Sequence, residues 1–149
     1  MAHATFAAML RERGLHKRIG VSSAGTRVGA PGRPPDMRVV NLLKQKGIKT
    51  PRIRARQITQ DILTKSHMIL VMEEQQRDQV LELVGDSSAS RVKLLRSFAD
   101  PWAHFEADIP DPYFANTAEF QAVFEIVESA CANIISSIES EGIASTFRV

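Results

Sequence analysis

Short apolar runs that alternate with helical patterns are the feature that most constrains the fold of this chain. The runs "HMILVM" (67–72) and "RVKLL" (91–95) have the length and composition of buried strands. A third short run, residues 19–23, is β-branched and stops at Ala24-Gly25, which predicts another strand. Strands separated by helices pair in parallel, so the sequence predicts a layered α/β fold.

Helical periodicity fills most of the chain between these runs. It predicts helices at residues 2–13, 36–46, 59–65 and 73–84, the first ending at Gly14 and the second at Gly47. The last helix begins near Asn116, where Glu119 completes a capping-box-like start. Its apolar stripe includes Cys131, which predicts a buried, inert thiol. Residues 24–35 and 96–115 are predicted to be loops.

The bulk of the sequence excludes several classes of function. Its 149 residues suit one domain, residues 1–149, and a net charge of +2 is too small to indicate a nucleic-acid partner. The local basic run Lys49, Arg52, Arg54 and Arg56 is interpreted as a solvated face. No stretch of about 18 apolar residues predicts a membrane span, and the four His have no metal-ligand spacing with Cys131.

The cysteine content bears on the compartment. A single cysteine cannot form an internal disulfide, and the first residues lack the pattern of a secretory signal. These features predict a cytoplasmic protein.

The loop "DIPDPYFAN" (108–116) presents the strongest candidate for chemistry. Pro110 and Pro112 fix the backbone on both sides of Asp111, so its carboxylate lies in a stiff loop. In parallel sheets, ligands bind beyond the carboxyl ends of the strands, and this loop follows such an end. The N-terminus of the first helix is expected at the same edge, where its N–H groups favour an anion.

Several segments, in this order and at nearly this spacing, resemble the low-molecular-weight protein tyrosine phosphatases. They are "VSSAGT" (21–26), "GRPPDMR" (32–38), "GIKTPRIRARQIT" (47–59), "MILVMEE" (68–74), "RVKLL" (91–95) and "IPDPY" (109–113). The resemblance covers essentially the whole chain. It implies a three-layer α/β sandwich with a short parallel sheet, which has four strands in the family.

The resemblance also implies a reaction and the residues that serve it. Family members hydrolyse phosphotyrosine and other aryl phosphates on protein substrates through a phosphocysteine, with no metal or cofactor. The thiolate belongs to a Cys-x5-Arg phosphate loop at the end of the first strand. By resemblance, Asp111 is the general acid, Tyr113 an aromatic of the substrate pocket, and Ser23 a brace for the phosphate loop.

The nucleophile is the part of the pattern that these residues do not supply. Cys131 is the only cysteine, and Ser137 rather than Arg stands at the position that would complete Cys-x5-Arg. Residues 1–10 resemble the stretch that follows the phosphate loop, so the first strand and loop would precede Met1. The chain as written is therefore predicted to be inactive and N-terminally truncated.

Three explanations are left open by the sequence. A segment before residue 1 completes an active phosphatase, or the protein is a non-catalytic binding module, or it is a partial gene product. Departures from the family at Gly29, Ile53 and Glu73 favour the binding module. In the family the first strand lies between those matching residues 19–23 and 67–72. Without it, an open gap is expected to favour a homo-oligomer or a strand-donating partner.

Overall fold

A computed structural model describes residues 1–99, 108–112 and 117–142 and shows an α/β arrangement. Five α-helices of 4 to 11 residues and two three-residue strands lie within residues 1–99, and a 25-residue helix follows. The elements are α1 (Ala2–Glu12), α2 (Met37–Gln45), α3 (Gln60–Lys65), β1 (Ile69–Val71), α4 (Glu74–Val84), β2 (Val92–Leu94), α5 (Arg96–Ala99) and α6 (Thr117–Glu141).

The sheet of the described residues consists of β1 and β2 in parallel. Ile69 is paired with Val92 and Val71 with Leu94, and α4 makes the crossover between the two strands. A parallel connection requires such a crossover, because the chain must return to the end of the sheet where the first strand began before the second strand can start.

Side chains of β1 alternate between two helical layers. Val71 packs with Leu63 of α3 and Val80 of α4 on one face of the sheet. Leu70 and Met72 contact the larger cluster on the opposite face, which is built on α6. The period of two along the strand thus separates the helices into layers on either side, giving the predicted three-layer sandwich.

The long helix α6 carries the main core. Its buried stripe packs against α1 and α5 and continues to α2; the stripe is Phe120, Val123, Phe124, Val127, Ala130, Cys131, Ile134, Ile135 and Ile138. The predicted burial of Cys131 is confirmed, with 2% of its surface exposed. Gly14 adopts φ +68° directly after α1, which confirms the predicted end of that helix.

Two predictions of local structure were wrong. Residues 19–24 form no strand, although "HMILVM" and "RVKLL" do contain β1 and β2. A strand requires a hydrogen-bonded neighbour, and residues 19–23 do not pair with β1. The predicted loop from residue 96 instead begins with the short helix α5, where Phe98 packs against the α6 cluster.

Candidate active site

A groove of about 1230 Å³ separates residues 19–27 from β1. Its floor includes Phe6 of α1, Leu95 at the end of β2, and Cys131 of α6. The groove occupies the place where the sequence predicted a gap between residues 19–23 and 67–72. Ser23 and Asp111, distant in the chain, both line it.

Asp111 is positioned by contacts of the residues just before it. The backbone N–H of Ile109 donates to the carbonyl oxygen of Met72 at 2.8 Å, and the Ile109 side chain is buried. Asp108 Oδ1 accepts a hydrogen bond from the N–H of Glu74 at 2.8 Å, at the N-terminus of α4. These contacts fix the loop at the carboxyl end of β1, and Asp111 lies exposed at the rim of the groove.

Asp111 also lines a second cavity of about 370 Å³ beside the groove. Ala2 of α1, Met72 and Glu73 line this cavity as well. The N-terminus of α1 and the carboxyl end of β1 therefore meet at the same edge of the molecule, as the sequence predicted. Backbone N–H groups at a helix N-terminus favour a negatively charged ligand.

Ser23 is hydrogen bonded to a residue that sequence reasoning did not connect with it. Its Oγ lies 3.0 Å from Nδ1 of His3, and its carbonyl oxygen accepts from Nε of Arg56 at 2.9 Å. The pKa of His3 is lowered, first by burial and then by the positive Met1 amine, Arg56 and Arg11. A neutral imidazole therefore faces the Ser23 hydroxyl at neutral pH. The contact spans 20 positions of the chain, so no local sequence pattern predicts it.

The loop after Ser23 is held by the segment that contains the basic run. The N–H of Gly25 donates to the carbonyl of Arg56, and the N–H of Ile58 donates to the carbonyl of Gly25. Both hydrogen bonds are 2.9 Å long. The Gln57 side chain donates to Thr26 O at 2.7 Å. Arg56 was predicted as part of a solvated face. It is exposed, as predicted, and it also forms hydrogen bonds with Ser23 and Gly25, which the sequence did not predict.

Cys131 has the properties of a structural thiol. Burial, followed by the nearby carboxylate of Glu128, raises its pKa to about 12, despite the opposing Met1 amine. A thiol with this pKa contains almost no thiolate at neutral pH, and thiolate is the nucleophilic form. Ser137, at the position of the loop Arg, donates to the carbonyl of Asn133 at 3.1 Å.

Tyr113 lies outside the described residues, as do Trp102 and His104. Over the described ranges, no cluster of three or more His, Cys, Asp or Glu side chains has the arrangement of a metal site. No helix in that part of the chain is both long and apolar enough to cross a membrane.

Comparison with known proteins agrees with this geometry. The family described as low molecular weight phosphotyrosine protein phosphatase matches residues 1–144. The low molecular weight protein-tyrosine phosphatase A of Mycobacterium tuberculosis is 37% identical over 131 residues, which are 87% of this chain and 77% of that protein. The phosphatase YfkJ of Bacillus subtilis is 28% identical over 141 residues, covering 95% and 88% of the two chains.

Solved structures match the fold over nearly the whole chain. The crystal structure of YfkJ aligns with a TM-score of 0.83 at 27% identity, over 94% of this chain and 86% of that one. A protein tyrosine phosphatase of Entamoeba histolytica aligns with a TM-score of 0.85 at 21% identity, over 95% and 89% of the two chains, which is a likeness of fold. With the family matched from Met1 to the end of α6, this chain belongs to the low molecular weight phosphotyrosine protein phosphatases.

Proposed function

We propose that residues 1–149 form the general-acid side of a phosphotyrosine phosphatase site and do not hydrolyse phosphate esters by themselves. The observation that carries this proposal is the position of Asp111. It lies on a loop tied to the end of β1, beside the N-terminus of α1. The family match and the phosphatase names of the relatives support aryl phosphates on proteins as the substrate class.

The roles of the site residues follow from this proposal. In a site completed by a nucleophile and its phosphate loop, Asp111 gives a proton to the leaving phenolic oxygen as its bond to phosphorus breaks, because a phenolate is a poor leaving group at neutral pH. Tyr113 is the aromatic wall for the substrate ring. In such a completed site Ser23 braces the phosphate loop, and its hydroxyl is held in place by His3. No step requires a metal or an organic cofactor.

The absence of turnover follows from the nucleophile. Attack on phosphorus requires a thiolate beside a phosphate-binding loop, and the only thiol of the chain is the buried Cys131 with its raised pKa. We therefore expect para-nitrophenyl phosphate and a phosphotyrosine peptide to be hydrolysed at the buffer rate. Cys131→Ser is the matched control and is expected to give the same rate. Turnover above background by the purified chain would contradict the proposal.

An alternative is an active phosphatase whose strand and Cys-x5-Arg loop precede residue 1. The phosphatase names of the matched family and of two relatives support it. A chain extended by an apolar strand and this loop is then expected to hydrolyse both substrates. In that extended chain, Asp111→Asn is expected to slow turnover about 10²–10⁴-fold, the usual contribution of a general acid. An unaffected rate would remove Asp111 from the reaction.

A second alternative is a binding module that uses the same edge of the sheet without chemistry. The open groove and the departures at Gly29, Ile53 and Glu73 support it. This function would be favoured if a phosphotyrosine peptide bound saturably without being hydrolysed. Inorganic phosphate should then compete with the peptide and displace it. The single, buried and unpaired Cys131 supports a cytoplasmic site of action for either alternative.

A further inference from the structure

Positive charge is concentrated in one region of the chain. Residues 20–60 contain nine of the 19 Lys and Arg and one of the 17 Asp and Glu. The rest of the chain carries more acidic than basic residues, so the net charge of +2 conceals a segregation of charge. Like charges gathered in one region repel one another and destabilise the compact state. A partner of opposite charge would relieve this repulsion.

Two loops of this region are joined along their backbones. We call residues 24–34 and 51–58 the paired loops. The N–H of Gly32 donates to the carbonyl of Ala55 at 2.7 Å, and the N–H of Ala55 donates to the carbonyl of Arg33 at 2.9 Å. The hydrogen bonds already described at the start of the first loop add to this pairing. The paired loops therefore form one backbone unit, although neither contains a helix or a strand.

The paired loops carry four exposed guanidinium groups that could bind an acidic ligand. They belong to Arg27, Arg33, Arg52 and Arg54. In the described part of the chain, none of the four forms an ion pair or a side-chain hydrogen bond. Arg56 adds a fifth guanidinium, which is held at the carbonyl of Ser23. Because the backbone unit fixes where these side chains begin, part of their ordering precedes binding.

The acidic side chains next to the paired loops already have partners. Asp36, the only acid of this region, is bound by Arg38, and Arg33 adds to the positive charge around it. Asp61, just after the second loop, pairs with Lys65 at 2.7 Å. The surface of the paired loops therefore keeps an excess of positive charge for a ligand.

The paired loops flank the candidate active site. They begin directly after Ser23, and Arg27 and Arg56 line the same groove as Asp111. Glu73 and Asp111 lie on the β1 side of this groove, so acidic side chains of a ligand are favoured on the opposite side, where the arginines lie. A protein substrate bound at the site is therefore adjacent to the paired loops.

The composition of the region indicates which acidic partner it fits. Residues 20–60 contain no Phe, Tyr or Trp, whereas single-stranded nucleic acids stack on aromatic side chains. Membrane-surface segments combine basic residues with an exposed apolar face. The large apolar side chains of the paired loops, Val28, Ile53 and Ile58, are half-buried. The carboxylates of a polypeptide are a better match, since guanidinium groups bind them through paired hydrogen bonds.

We propose that the paired loops bind an acidic segment of the phosphoprotein substrate, adjacent to the phosphotyrosine that enters the Asp111 site. Glutamate or aspartate side chains of this segment pair with the four arginines. The identity of the partner rests on the proposed function, but the docking contact needs neither the phosphate group nor a nucleophile. It can therefore be measured on an unphosphorylated peptide, and its failure is distinguishable from failure of the proposed site chemistry.

The first experiment compares two fluorescein-labelled peptides that differ only in charge. Each has an unphosphorylated tyrosine at its centre, flanked on both sides by Glu residues in one peptide and by Gln residues in the other. Fluorescence anisotropy at about 20 mM salt is expected to show saturable binding of the Glu peptide, at least about tenfold tighter than binding of the Gln peptide. The difference should shrink at about 500 mM salt, because salt screens exposed charges. Equal affinities, or no binding of the Glu peptide at about 1 mM, would overturn the proposal.

A charge reversal on the chain tests the location of binding. Arg33→Glu combined with Arg54→Glu is expected to weaken binding of the Glu peptide about tenfold and to strengthen binding of a Lys-flanked peptide. Lys17→Glu combined with Lys93→Glu is the matched control, because it changes the net charge equally at exposed positions outside the paired loops. Its effect should stay within about twofold. Circular dichroism checks that both variants keep the fold, and equal losses of affinity would overturn the proposal.

NMR identifies the surface that the Glu peptide contacts. The backbone amides of residues 27–33 and 52–56 are expected to shift on binding, whereas those of residues 78–84 in α4 are the internal control and should not. Shifts confined to other parts of the chain would contradict the proposal. A single-stranded oligonucleotide or a phosphatidylserine vesicle provides the remaining test. If either binds more tightly than the Glu peptide and loses this binding in the Arg33→Glu, Arg54→Glu variant, the paired loops serve a different partner.

Discussion

At the scale of single residues, Asp111 is positioned by contacts that cross the chain. Pro110 and Pro112 stiffen its loop, as the sequence predicts, but stiffness alone does not direct a carboxylate towards a groove. The direction comes from two hydrogen bonds: the N–H of Ile109 donates to the carbonyl of Met72, and the N–H of Glu74 donates to the Asp108 carboxylate. The second contact was not predicted, because nothing in the motif indicates which helix Asp108 serves.

Asp108 serves as a remote cap for α4. Glu73, the residue before this helix, makes no capping hydrogen bond with its own side chain, and Asp108 bonds the first helical N–H instead. We expect Asp108→Ala to lower the free energy of unfolding by about 0.5–2 kcal/mol, the usual cost of losing a cap. Urea denaturation measures the change. Asp78→Ala, on the exposed surface of α4, is the control and should stay within about 0.5 kcal/mol; equal losses would show that Asp108 is not a cap.

Asp36 makes a comparable cap at α2, with a measurable effect on its pKa. Its carboxylate accepts from the N–H of Arg38 at 2.8 Å and lies 2.7 Å from Nη2 of the same residue. The side-chain and backbone hydrogen bonds from Arg38 lower the pKa of Asp36 to about 2, from 3.8. Because the folded-state pKa is lowered, the stabilisation is present above pH 3.8 and is lost as the pH falls towards 2.

NMR titration of the Asp36 carboxyl carbon should therefore give a midpoint well below that of an ordinary aspartate. Arg38→Gln is expected to raise this midpoint, since it removes the guanidinium but keeps the backbone donor. A wild-type midpoint near 3.8, or one unchanged by Arg38→Gln, would contradict the interaction. The Asp36 side chain is 28% exposed and its partner Arg38 is exposed, so solvent screens the pair and its effect on global stability should be small.

At the scale of elements, sequence patterns located the helices and both paired strands, usually within one to three residues. They succeeded where an element buries a periodic face, as α6 does against α1 and α5. They failed at residues 19–23, because β-branched composition fits a strand but does not provide a neighbour for it. They also missed α5, because four residues are too few to show a helical period.

The helix α6 provides the sharpest contrast between buried and exposed contacts. Phe124 is completely buried between α6, α1 and α2, whereas Arg13 reaches Glu139 of α6 through an exposed ion pair of 2.8 Å. We expect Phe124→Ala to lower the free energy of unfolding by about 3–5 kcal/mol, because apolar burial is lost and a cavity is left behind. Arg13→Ala should cost at most about 1 kcal/mol.

Both variants can be compared by urea denaturation at neutral pH. If Phe124→Ala does not fold, Phe124→Leu offers a milder change that should still cost more than Arg13→Ala. Similar costs for Phe124→Leu and Arg13→Ala would show that the α6 interface is not the main core.

At the scale of the whole molecule, the three-layer fold surrounds a groove that two walls line but do not close. The helical layers are well packed, with the large side chains of α6 buried, while the sheet between them has two strands in the described residues. Stability should therefore be limited by the groove rather than by the helices. A polypeptide strand that fills it is expected to add both apolar burial and backbone hydrogen bonds.

This expectation can be tested by covalent fusion, without reference to catalysis. An apolar strand joined to residue 1 through a Cys-free loop of glycine and serine can enter the groove, because α1 begins at its edge. We expect the fusion to unfold at a higher urea concentration and with a larger m-value, since m increases with the surface exposed on unfolding. A fusion in which alternate strand residues are replaced by Asp keeps the length and the loop, but burying these carboxylates between the two helical layers is costly. It should therefore unfold like the original chain. If the two fusions have the same midpoint and m-value, the groove does not accept a strand, and residues 20–24 must satisfy their backbone groups with water.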